Sequence, residues 1–295
     1  MHRVATLPNL TVQQLEYLVA VGDGSTWADA ASHVGVSPSA LSQGLAELER
    51  RVGVTLFERD GRRRRLTSAA DPVLAHAEAV VASTRDLAAW AERARSGAEG
   101  SLRLGMIDAA AVNHYPAVLR EFRAERPDVE LRLAVAPSSP LLADLATAEL
   151  DLVVCVEPPR PVEGVEWLRL RGDALAVYAP PEQVGRRARP KDWGPWVTFP
   201  EGSHTRSLIA DGLESLGARF DVVAESHQPE VLREMVNLGL GWTVLPIVQA
   251  ESGPDPLERA RREPIAERDL VVARRIDAAP LAVADTLVAA LRAAD

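Results

Sequence analysis

Small and apolar positions near the start of the chain repeat at a helical period and then stop at a glycine. Ala30, Ala31 and Val34 fall on one face of a helix that Ser25 is placed to cap. Gly35 follows, and glycine readily adopts the positive φ that often ends a helix. The pattern predicts a short helix whose paired alanines allow a second helix to approach closely.

A second helix is predicted directly after this turn. Ser37 suits its N-cap, and Pro38 suits its first position, where a missing N–H loses no hydrogen bond. Its apolar positions recur at steps of three or four residues: Leu41, Leu45, Leu48 and Val52. Short polar side chains lie on the opposite face, near the N-terminus: Ser39, Ser42 and Gln43. Such groups are typical of recognition helices, which meet base edges and phosphates in the DNA major groove.

Arginines flank a tight-turn signal, Asp60-Gly61, shortly after these helices. The spacing predicts a small β-hairpin, or wing, whose arginines neutralise phosphates or enter a narrow minor groove. Helix pairs and solvated arginine runs are common separately, but caps, turn, polar face and basic wing in this order favour DNA binding. We therefore predict DNA contacts from these residues: Ser37, Ser39, Ser42, Gln43, Arg59, Arg62, Arg63, Arg64 and Arg65.

From residue 68 to residue 97 the chain is rich in alanine and predicts one long helix. Ser68 and Asp71 can form a capping pair, and Pro72 still lies in the tolerated first turn. Small and apolar positions alternate four- and three-residue steps: Val73, Ala77, Val80, Thr84, Leu87, Ala91 and Ala94. This is the coiled-coil period, and a helix of this length spans roughly 35 Å. Two interpretations stay open, a dimerisation helix between domains and a core helix of a single globule.

The remaining two-thirds of the chain alternates apolar strand patterns with helical patterns. Strands are predicted at 102–107, 129–135, 151–156, 174–178, 196–199, 221–224, 242–245 and 270–273. Helices are predicted at 115–122, 141–150, 207–216, 229–237 and 281–291. This alternation predicts a parallel α/β sheet that is covered on both faces. Most of the six tryptophans, including Trp193, Trp196 and Trp242, are interpreted as core or lobe-packing residues.

Ligands of open α/β sheets bind beyond the carboxyl ends of the strands, where helix N-termini present free N–H groups. The polar segments at such places predict these binding residues: Asp108, Ala109, Ser138, Ser139, Pro200, Glu201, Ser203, Glu225, Ser226, His227 and Gln228. The serines and Asp108 could equally be plain helix caps. His204 and His227 are interpreted as ordinary loop residues, and we expect no metal site and no cofactor.

Charge and cysteine content narrow the choice of function. The chain of 295 residues has a formal net charge of −9, but residues 1–66 hold eight arginines against seven acids. Positive charge is concentrated between Arg50 and Arg65, which is the position that supports nucleic-acid binding. Cys155, the only cysteine, lies in an apolar strand pattern and predicts an inert core thiol. With no apolar run long enough for a membrane span and no signal-peptide pattern, we expect a cytoplasmic protein.

The N-terminal segment resembles the winged helix-turn-helix of the LysR-type transcriptional regulators. The residues that carry the resemblance are Leu15, Leu18, Ser25, Ala30, Ala31, Val34, Ser37, Ser42, Leu48, Glu49, Gly53, Leu56, Phe57, Arg59, Leu66, Thr67 and Ala69. Further weak markers continue in order through the chain: Gly105, Tyr115-Pro116, Phe122, Pro127, Leu150-Asp151-Leu152, Asp173, Glu225-Ser226, Gly239-Leu240-Gly241 and Leu245-Pro246. The sequence departs from the family at Gln43, where a basic residue is common, and at Gly44, Ala70, Ala109 and Ala110.

The resemblance implies an α/β protein with an all-α N-terminal part, in three pieces. These are a DNA-binding domain at 1–67, a linker and dimerisation helix at 68–97, and a two-lobed effector domain at 98–295 that is similar to periplasmic binding proteins. Lobe I would comprise 98–167 and 270–295, and lobe II 168–269, with hinges near 167 and 270. Ser138 and Ser139 match a polar position that commonly contacts effector in the family. The absence of a serine or threonine at Ala109 and Ala110 favours a neutral or cationic effector over a small carboxylate.

The implied function is promoter binding controlled by a small-molecule effector in the cleft between the lobes. The implied partners are double-stranded DNA, the effector, further copies of the chain in a homodimer or homotetramer, and RNA polymerase. A different class stays open, a cytoplasmic small-molecule sensor whose N-terminal helices serve only for oligomerisation. An enzyme is disfavoured, because the sequence contains no phosphate loop, nucleophile elbow or metal-spaced cluster.

Overall fold

The computed structural model describes residues 9–22, 26–60, 63–96, 100–185, 188–253 and 255–294, and leaves the side chains of residues 59, 60, 63 and 92–96 undescribed. The chain divides into two compact units. The first comprises 1–97 with 146–149, and the second 98–145 with 150–295.

The first unit is helical with one small hairpin. Its elements are α1 (Val12–Gly22), α2 (Trp27–His33), α3 (Pro38–Val52), β1 (Phe57–Asp60), β2 (Arg63–Leu66) and α4 (Asp71–Ser96). Its core includes the apolar face expected on α3, since Leu41, Leu45 and Leu48 are fully buried and Val52 is half-buried. The strands β1 and β2 pair antiparallel, from Phe57 opposite Leu66 to Asp60 opposite Arg63, so the predicted wing is confirmed.

The ends of α2 and α3 follow the caps expected from the sequence, with one correction. Thr26, not Ser25, caps α2: its Oγ1 accepts a hydrogen bond from the Asp29 N–H at 3.2 Å, because the helix begins at Trp27. Ser25 itself lies outside the described residues. Ser37 caps α3 by accepting from the Ala40 N–H at 3.2 Å, and Gly35 has the expected positive φ of 69°.

The long helix α4 begins at Asp71, three residues later than expected. Its N-terminal turns pack into the core of the first unit, where Ala77 and Val81 are buried. Farther along, Val80, Leu87 and Trp90 are 42%, 63% and 60% exposed. The apolar positions expected at the coiled-coil period are therefore divided: Ala77 is a core residue, whereas Val80 and Leu87 lie on an open apolar face. Ala94 and Gly97 lie outside the residues whose side chains are described.

The second unit alternates strands and helices. Its elements are β3 (Ser101–Met106), a π-helical turn (Ala109–His114), α5 (Pro116–Glu125), β4 (Glu130–Val135), α6 (Ser138–Ala146), β5 (Leu152–Val156), β6 (Val165–Tyr178), single 3₁₀ turns at Pro181–Gln183 and Pro190–Asp192, β7 (Trp196–Thr198), α7 (His204–Ser215), β8 (Val222–Glu225), α8 (Pro229–Asn237), β9 (Thr243–Pro246), α9 (Ile247–Ala250), β10 (Ala266–Arg275) and α10 (Ala282–Ala293).

The main sheet is mixed, so the expectation of a parallel sheet is wrong. Its strand order is β4-β3-β5-β10-β6-β9, and only the pairs of β3 with β4 and with β5 are parallel. The two longest strands, β6 and β10, run antiparallel to each other from Val165 opposite Arg275 to Leu175 opposite Ala266. Each of these strands carries the chain from one lobe to the other. Two neighbouring strands that pass between the lobes in opposite directions must pair antiparallel. The order of strand and helix patterns along the sequence does not reveal this pairing.

Two separate apolar cores define the lobes. One contains Leu102, Phe122 and Cys155 together with Leu170 of β6 and Leu270 of β10. The other contains Leu175 of β6 and the three tryptophans of the sequence prediction. The rings of Trp193 and Trp242 stack at 5.7 Å, which confirms their packing role. Along β6, Leu170 belongs to the first core and Leu175 to the second. The chain therefore passes from one lobe to the other between these two residues.

Candidate functional site

The exposed face of α3 presents the short polar groups that the sequence singled out. Gln43 and Ser39 are exposed and Ser42 is half-buried. The hydroxyl oxygens of Ser37 and Ser39 lie 3.0 Å apart, while Ser37 also caps the helix. These side chains occupy the first two turns of α3, where backbone N–H groups and the helix dipole favour phosphate.

The wing is braced by an aromatic contact that sequence reasoning missed. The guanidinium carbon of Arg64 lies 4.8 Å from the centre of the Trp27 ring, and the Phe57 ring meets Trp27 edge-on at 5.3 Å. Trp27 therefore fixes one wing arginine against the start of α2. Arg64 and Arg65 are exposed. The predicted contacts Arg59, Arg62 and Arg63 lie outside the residues whose side chains are described.

The arginines at the end of α3 are engaged within the helix. Glu47 accepts hydrogen bonds from Arg50 Nε at 2.8 Å and from Arg51 Nε at 2.6 Å. These two guanidinium groups hold the pKa of Glu47 at about 2. Glu47 therefore compensates part of the positive charge at the end of α3, although the Arg50 side chain is still 70% exposed.

The second unit contains a cavity of about 340 Å³ at the carboxyl ends of its first parallel strands. The N-terminal residues of α6, α7 and α8 also border it. Among the predicted ligand contacts, those that line this cavity are Asp108, Ala109, Ser138, Ser203, His227 and Gln228. Both lobes supply wall residues, so the cavity lies in the cleft between them.

The other predicted contacts lie off this cavity. Ser139 and Glu201 line a smaller pocket of about 170 Å³ beside it. Glu225 instead forms an ion pair with Arg206. Ser226 accepts a hydrogen bond from the Gln228 N–H at 3.1 Å and so shapes the turn before α8. Pro200, Glu225 and Ser226 border neither of the two pockets.

A buried polar network forms the floor of the cleft, and no local sequence pattern predicts it. Arg268 of β10 donates from Nε and Nη2 to Asp173 of β6, at 3.0 and 2.7 Å. Its Nη1 donates to Thr205 at 3.1 Å and its Nη2 to Gln249 Oε1 at 3.4 Å. Gln249 Nε2 in turn donates to Asp108 at 2.8 Å. The network therefore connects the loop after β3, both crossing strands, α7 and α9.

The Asp173 carboxylate also faces the imidazole of His114. Nε2 of the buried His114 lies 3.6 Å from the Asp173 carboxylate, too far for a hydrogen bond but within ion-pair distance whenever the imidazole is protonated. Burial favours the neutral carboxyl of Asp173, but His114 and Arg268 outweigh it and lower the Asp173 pKa. Burial likewise lowers the pKa of Arg268, against the opposing effect of Asp173.

Asp108 has the opposite electrostatic character. Burial and the nearby charge of Glu230 raise the pKa of Asp108, and the hydrogen bond from Gln249 only partly offsets them. Glu230, Gln249 and Arg268 also line the cavity, although the sequence prediction included none of them. The sequence around Arg268 does not indicate a binding residue, because Arg268 lies on a strand that connects the two lobes. It is also far along the chain from the other wall residues.

Two classes of site are not found in the part of the chain that the structure describes. No group of three or more histidine, cysteine or acidic side chains is placed to hold a metal ion. No helix there combines the length and the apolarity needed to cross a membrane.

Comparisons with known proteins cover both the helix-turn-helix and the two-lobed part of the chain. Residues 12–71 match the bacterial regulatory helix-turn-helix protein, lysR family, and residues 95–295 match the LysR substrate binding domain. The HTH-type transcriptional regulator IlvY of Escherichia coli (strain K12) is 26% identical over 254 residues, covering 84% of this chain and 86% of that protein. The probable hydrogen peroxide-inducible genes activator of Streptomyces viridosporus is 31% identical over 294 residues, covering 96% of this chain and 94% of that protein.

The fold is also found in a solved structure. The crystal structure of full-length CbnR complexed with its target DNA matches with a TM-score of 0.58 at 19% identity, covering 97% of this chain and 100% of that chain. The sequence resemblance to the family, the winged helix-turn-helix and the two-lobed unit are thereby confirmed. This chain belongs to the LysR family and is a LysR-type transcriptional regulator with a DNA-binding helix-turn-helix and an effector-binding domain.

Proposed function

We propose that this regulator reads its promoter with α3 and the β1–β2 wing, and that a small molecule in the cleft cavity controls the outcome. The observation that carries this proposal is the cavity itself, which both lobes line and whose floor is the Arg268 network. A ligand that contacts both lobes binds one lobe arrangement better than another and so shifts their populations. We take 1–67, 68–97 and 98–295 as the domain limits, with the lobes divided near 167 and 270.

Base and phosphate contacts are divided between the two parts of the first unit. Ser37, Ser39 and Ser42 would bind phosphate or position the helix, and Gln43 would read a base edge, with adenine the best match for its amide. The wing arginines, Arg64 and Arg65 with Arg59, Arg62 and Arg63, would neutralise phosphates or enter the minor groove. Affinity would therefore depend mainly on the wing, and sequence preference on Gln43.

The open apolar face of α4 supports association with a second copy. Val80, Leu87 and Trp90 are exposed there, and Thr84 lies between them at helical spacing. Two antiparallel or parallel copies of this face would bury the apolar groups, and a dimer of two-fold symmetry matches a palindromic operator. Association to a tetramer and contact with RNA polymerase are proposed only because the family resemblance implies them.

The available chemistry favours a regulator over an enzyme. Within the described residues the cavity wall contains no hydroxyl or thiol nucleophile hydrogen-bonded to a base. One relative is named for induction by hydrogen peroxide, but Cys155 is fully buried here and burial raises its pKa to about 12. The thiolate that peroxide oxidises is therefore not available at this cysteine. We place the protein in the cytoplasm, where promoter DNA is accessible.

The decisive test is footprinting and mobility shift of the full chain on the DNA upstream of its own gene. Gln43→Ala should change the preferred operator sequence, whereas Gln13→Ala, an exposed glutamine on α1, should leave it unchanged. A uniform loss of affinity in Gln43→Ala would contradict base reading by this residue. No retardation of any DNA at low salt would favour the alternative, a sensor whose N-terminal helices only oligomerise.

Association is tested separately by sedimentation. Leu87→Glu on the open face of α4 should give monomers, because it places a charge where two apolar faces meet. Ala75→Glu, at an exposed position about a third of a turn around the helix, is the matched control. Dimers that persist in Leu87→Glu would rule out this face.

A further inference from the structure

The charges on the wall of the cleft cavity do not balance. Three formally charged side chains line it: Asp108, Glu230 and Arg268. Arg268 is already satisfied by protein, since its guanidinium donates four hydrogen bonds, two to Asp173 and one each to Thr205 and Gln249. A guanidinium has five N–H donors, so one is left for any ligand. The cationic group at the floor is thus part of the scaffold and not a receptor for a carboxylate.

The two acidic groups are in the opposite situation. Asp108 accepts one hydrogen bond, from Gln249, among the contacts of the described residues. No ion pair is found within that part of the chain for either Asp108 or Glu230. Glu230 is close enough for its negative charge to act on Asp108, and burial together with this charge disfavours the ionised form of Asp108. A cation placed between these two carboxylates would relieve the repulsion.

The rest of the wall determines what else the ligand carries. Ile107, Val135, Val156, Phe199 and Pro229 contribute apolar surface to the same cavity. A volume of about 340 Å³ is near the lower end for ligand pockets, so the bound molecule is small. The cavity therefore combines an acidic corner, formed by Asp108 and Glu230, with apolar wall surface.

We infer that the effector of this regulator carries a protonated primary amine, held between Asp108 and Glu230, on a short aliphatic body that packs against Val135, Val156 and Phe199. This inference rests on the proposed function, because it names the ligand class of the cleft cavity. Gln249 acts as a positioning residue: its amide is held by Arg268 and directs its NH₂ to Asp108, leaving the other carboxylate oxygen for the ammonium group.

Two kinds of molecule could supply such an amine, and they differ in whether they also carry a carboxylate. The N-terminal residues of α6, α7 and α8 border the cavity, and the free N–H groups of helix N-termini favour a carboxylate. A simple alkylamine offers only the cation, whereas an aliphatic α-amino acid offers both charges on one body. The ammonium group beside Asp108 is common to both sources, and the experiment separates them.

The test measures binding to the full chain by calorimetry with probes of matched size. n-Butylamine and L-norvaline represent the two sources of the amine, and butyrate and n-butanol are the anionic and neutral controls. We expect binding of n-butylamine, L-norvaline or both, and none of butyrate. Norvaline bound more tightly than n-butylamine identifies an amino acid, and the reverse order identifies a simple amine.

Variants assign the binding to the acidic corner. Asp108→Asn keeps the oxygen that accepts from Gln249 and removes the charge, so amine affinity should fall about tenfold or more. Glu230→Gln should weaken it about threefold, because Glu230 is exposed to solvent. Glu234→Gln, one turn farther along α8 and not part of the cavity wall, is the matched control and should bind as the unchanged chain does.

Three results would overturn the inference: tighter binding of butyrate than of n-butylamine, amine affinity unchanged in Asp108→Asn, or no binding of either amine probe. Mobility shift with operator DNA, run on the same preparations, separates this failure from failure of the proposed function. DNA binding that responds to an anionic or neutral ligand overturns only the ligand class. Amine binding that depends on Asp108, in a chain that retards no DNA, supports the ligand class and overturns promoter control.

Discussion

Arg268 and Asp173 are direct cross-strand partners in the antiparallel pairing of β10 with β6. Both residues are 4% exposed, and the guanidinium donates from two nitrogens, at 3.0 and 2.7 Å, to one carboxylate oxygen. The pair lies between Leu170 and Leu175, the positions on β6 where the chain leaves one lobe core and enters the other. It therefore fixes the register of the two crossings and also forms the cleft floor.

Removing the charge of Asp173 should destabilise the second unit strongly. Asp173→Asn leaves a buried guanidinium without its counter-charge, and we expect a loss of about 3 kcal/mol in the free energy of unfolding by urea. Asp269→Asn is the matched control, since Asp269 pairs with Arg169 at 2.7 Å on the same two strands but in solvent. That change should cost less than about 1 kcal/mol. Equal losses in the two variants would contradict the special role of the buried pair.

The same variant has a defined pH signature. His114 and Arg268 lower the pKa of Asp173 in the folded protein, although burial opposes them. A depressed carboxyl pKa stabilises the fold above the unfolded pKa, and this stability is lost as the pH falls through the folded value. The stability difference between Asp173→Asn and the unchanged chain should therefore be full near neutrality and shrink in acid. A constant difference would contradict the ion pair as its cause.

Asp108→Asn should stabilise the ligand-free protein near neutrality. Burial and Glu230 raise the pKa of Asp108, so folding favours its protonated form. The stability linked to this group is present below the unfolded pKa and is lost as the pH rises through the folded pKa. Thermal unfolding should show a higher Tm for the variant at neutral pH and a smaller difference in acid. A lower Tm for Asp108→Asn at neutral pH would contradict this account.

The Trp27 ring should matter for DNA affinity through Arg64. Trp27→Leu removes the aromatic face beneath the guanidinium, and we expect affinity for operator DNA to fall about fivefold. Arg64→Ala should lower affinity for all sequences alike and flatten the salt dependence by about one unit of slope. In the double variant the two losses should not add, because Trp27 acts through Arg64. Additive losses would show that Trp27 acts on another part of the interface.

Gly44→Ala should destabilise the first unit although alanine is the better helix former. A Cβ at this position would lie 2.6 Å from the ring of the buried Tyr17. The overlap should cost about 1 to 3 kcal/mol, more than the gain in helix propensity of about 1 kcal/mol. Chemical unfolding of the variant measures the loss. Tyr17→Leu should largely remove the penalty, and an equal penalty in that background would contradict the ring contact.

The sequence by itself determined the elements whose causes are local. Ser37, Pro38 and Gly35 define the ends of helices through backbone groups within a few residues, and the stripe of Leu41, Leu45 and Leu48 follows from the helical period. The wing arginines and the inert Cys155 can likewise be predicted from the sequence, because turn chemistry and an apolar run depend on no distant partner. Several cavity residues, Asp108 and Ser138 among them, could be placed because strand ends and helix starts predict where clefts form.

The tertiary structure alone decided the features that depend on residues far apart in the chain. β6 and β10 pair antiparallel because both cross between the lobes, and only that pairing sets Arg268 against Asp173, 95 residues away. Gln249 and Glu230 reach the cavity through the placement of α9 and α8. From the sequence alone, Gly44 predicts a locally weakened helix. In the structure, the Tyr17 ring lies so close that no larger residue fits at this position. Periodicity reports which face of an element is buried, but the partner of that face is set by packing, which no single segment encodes.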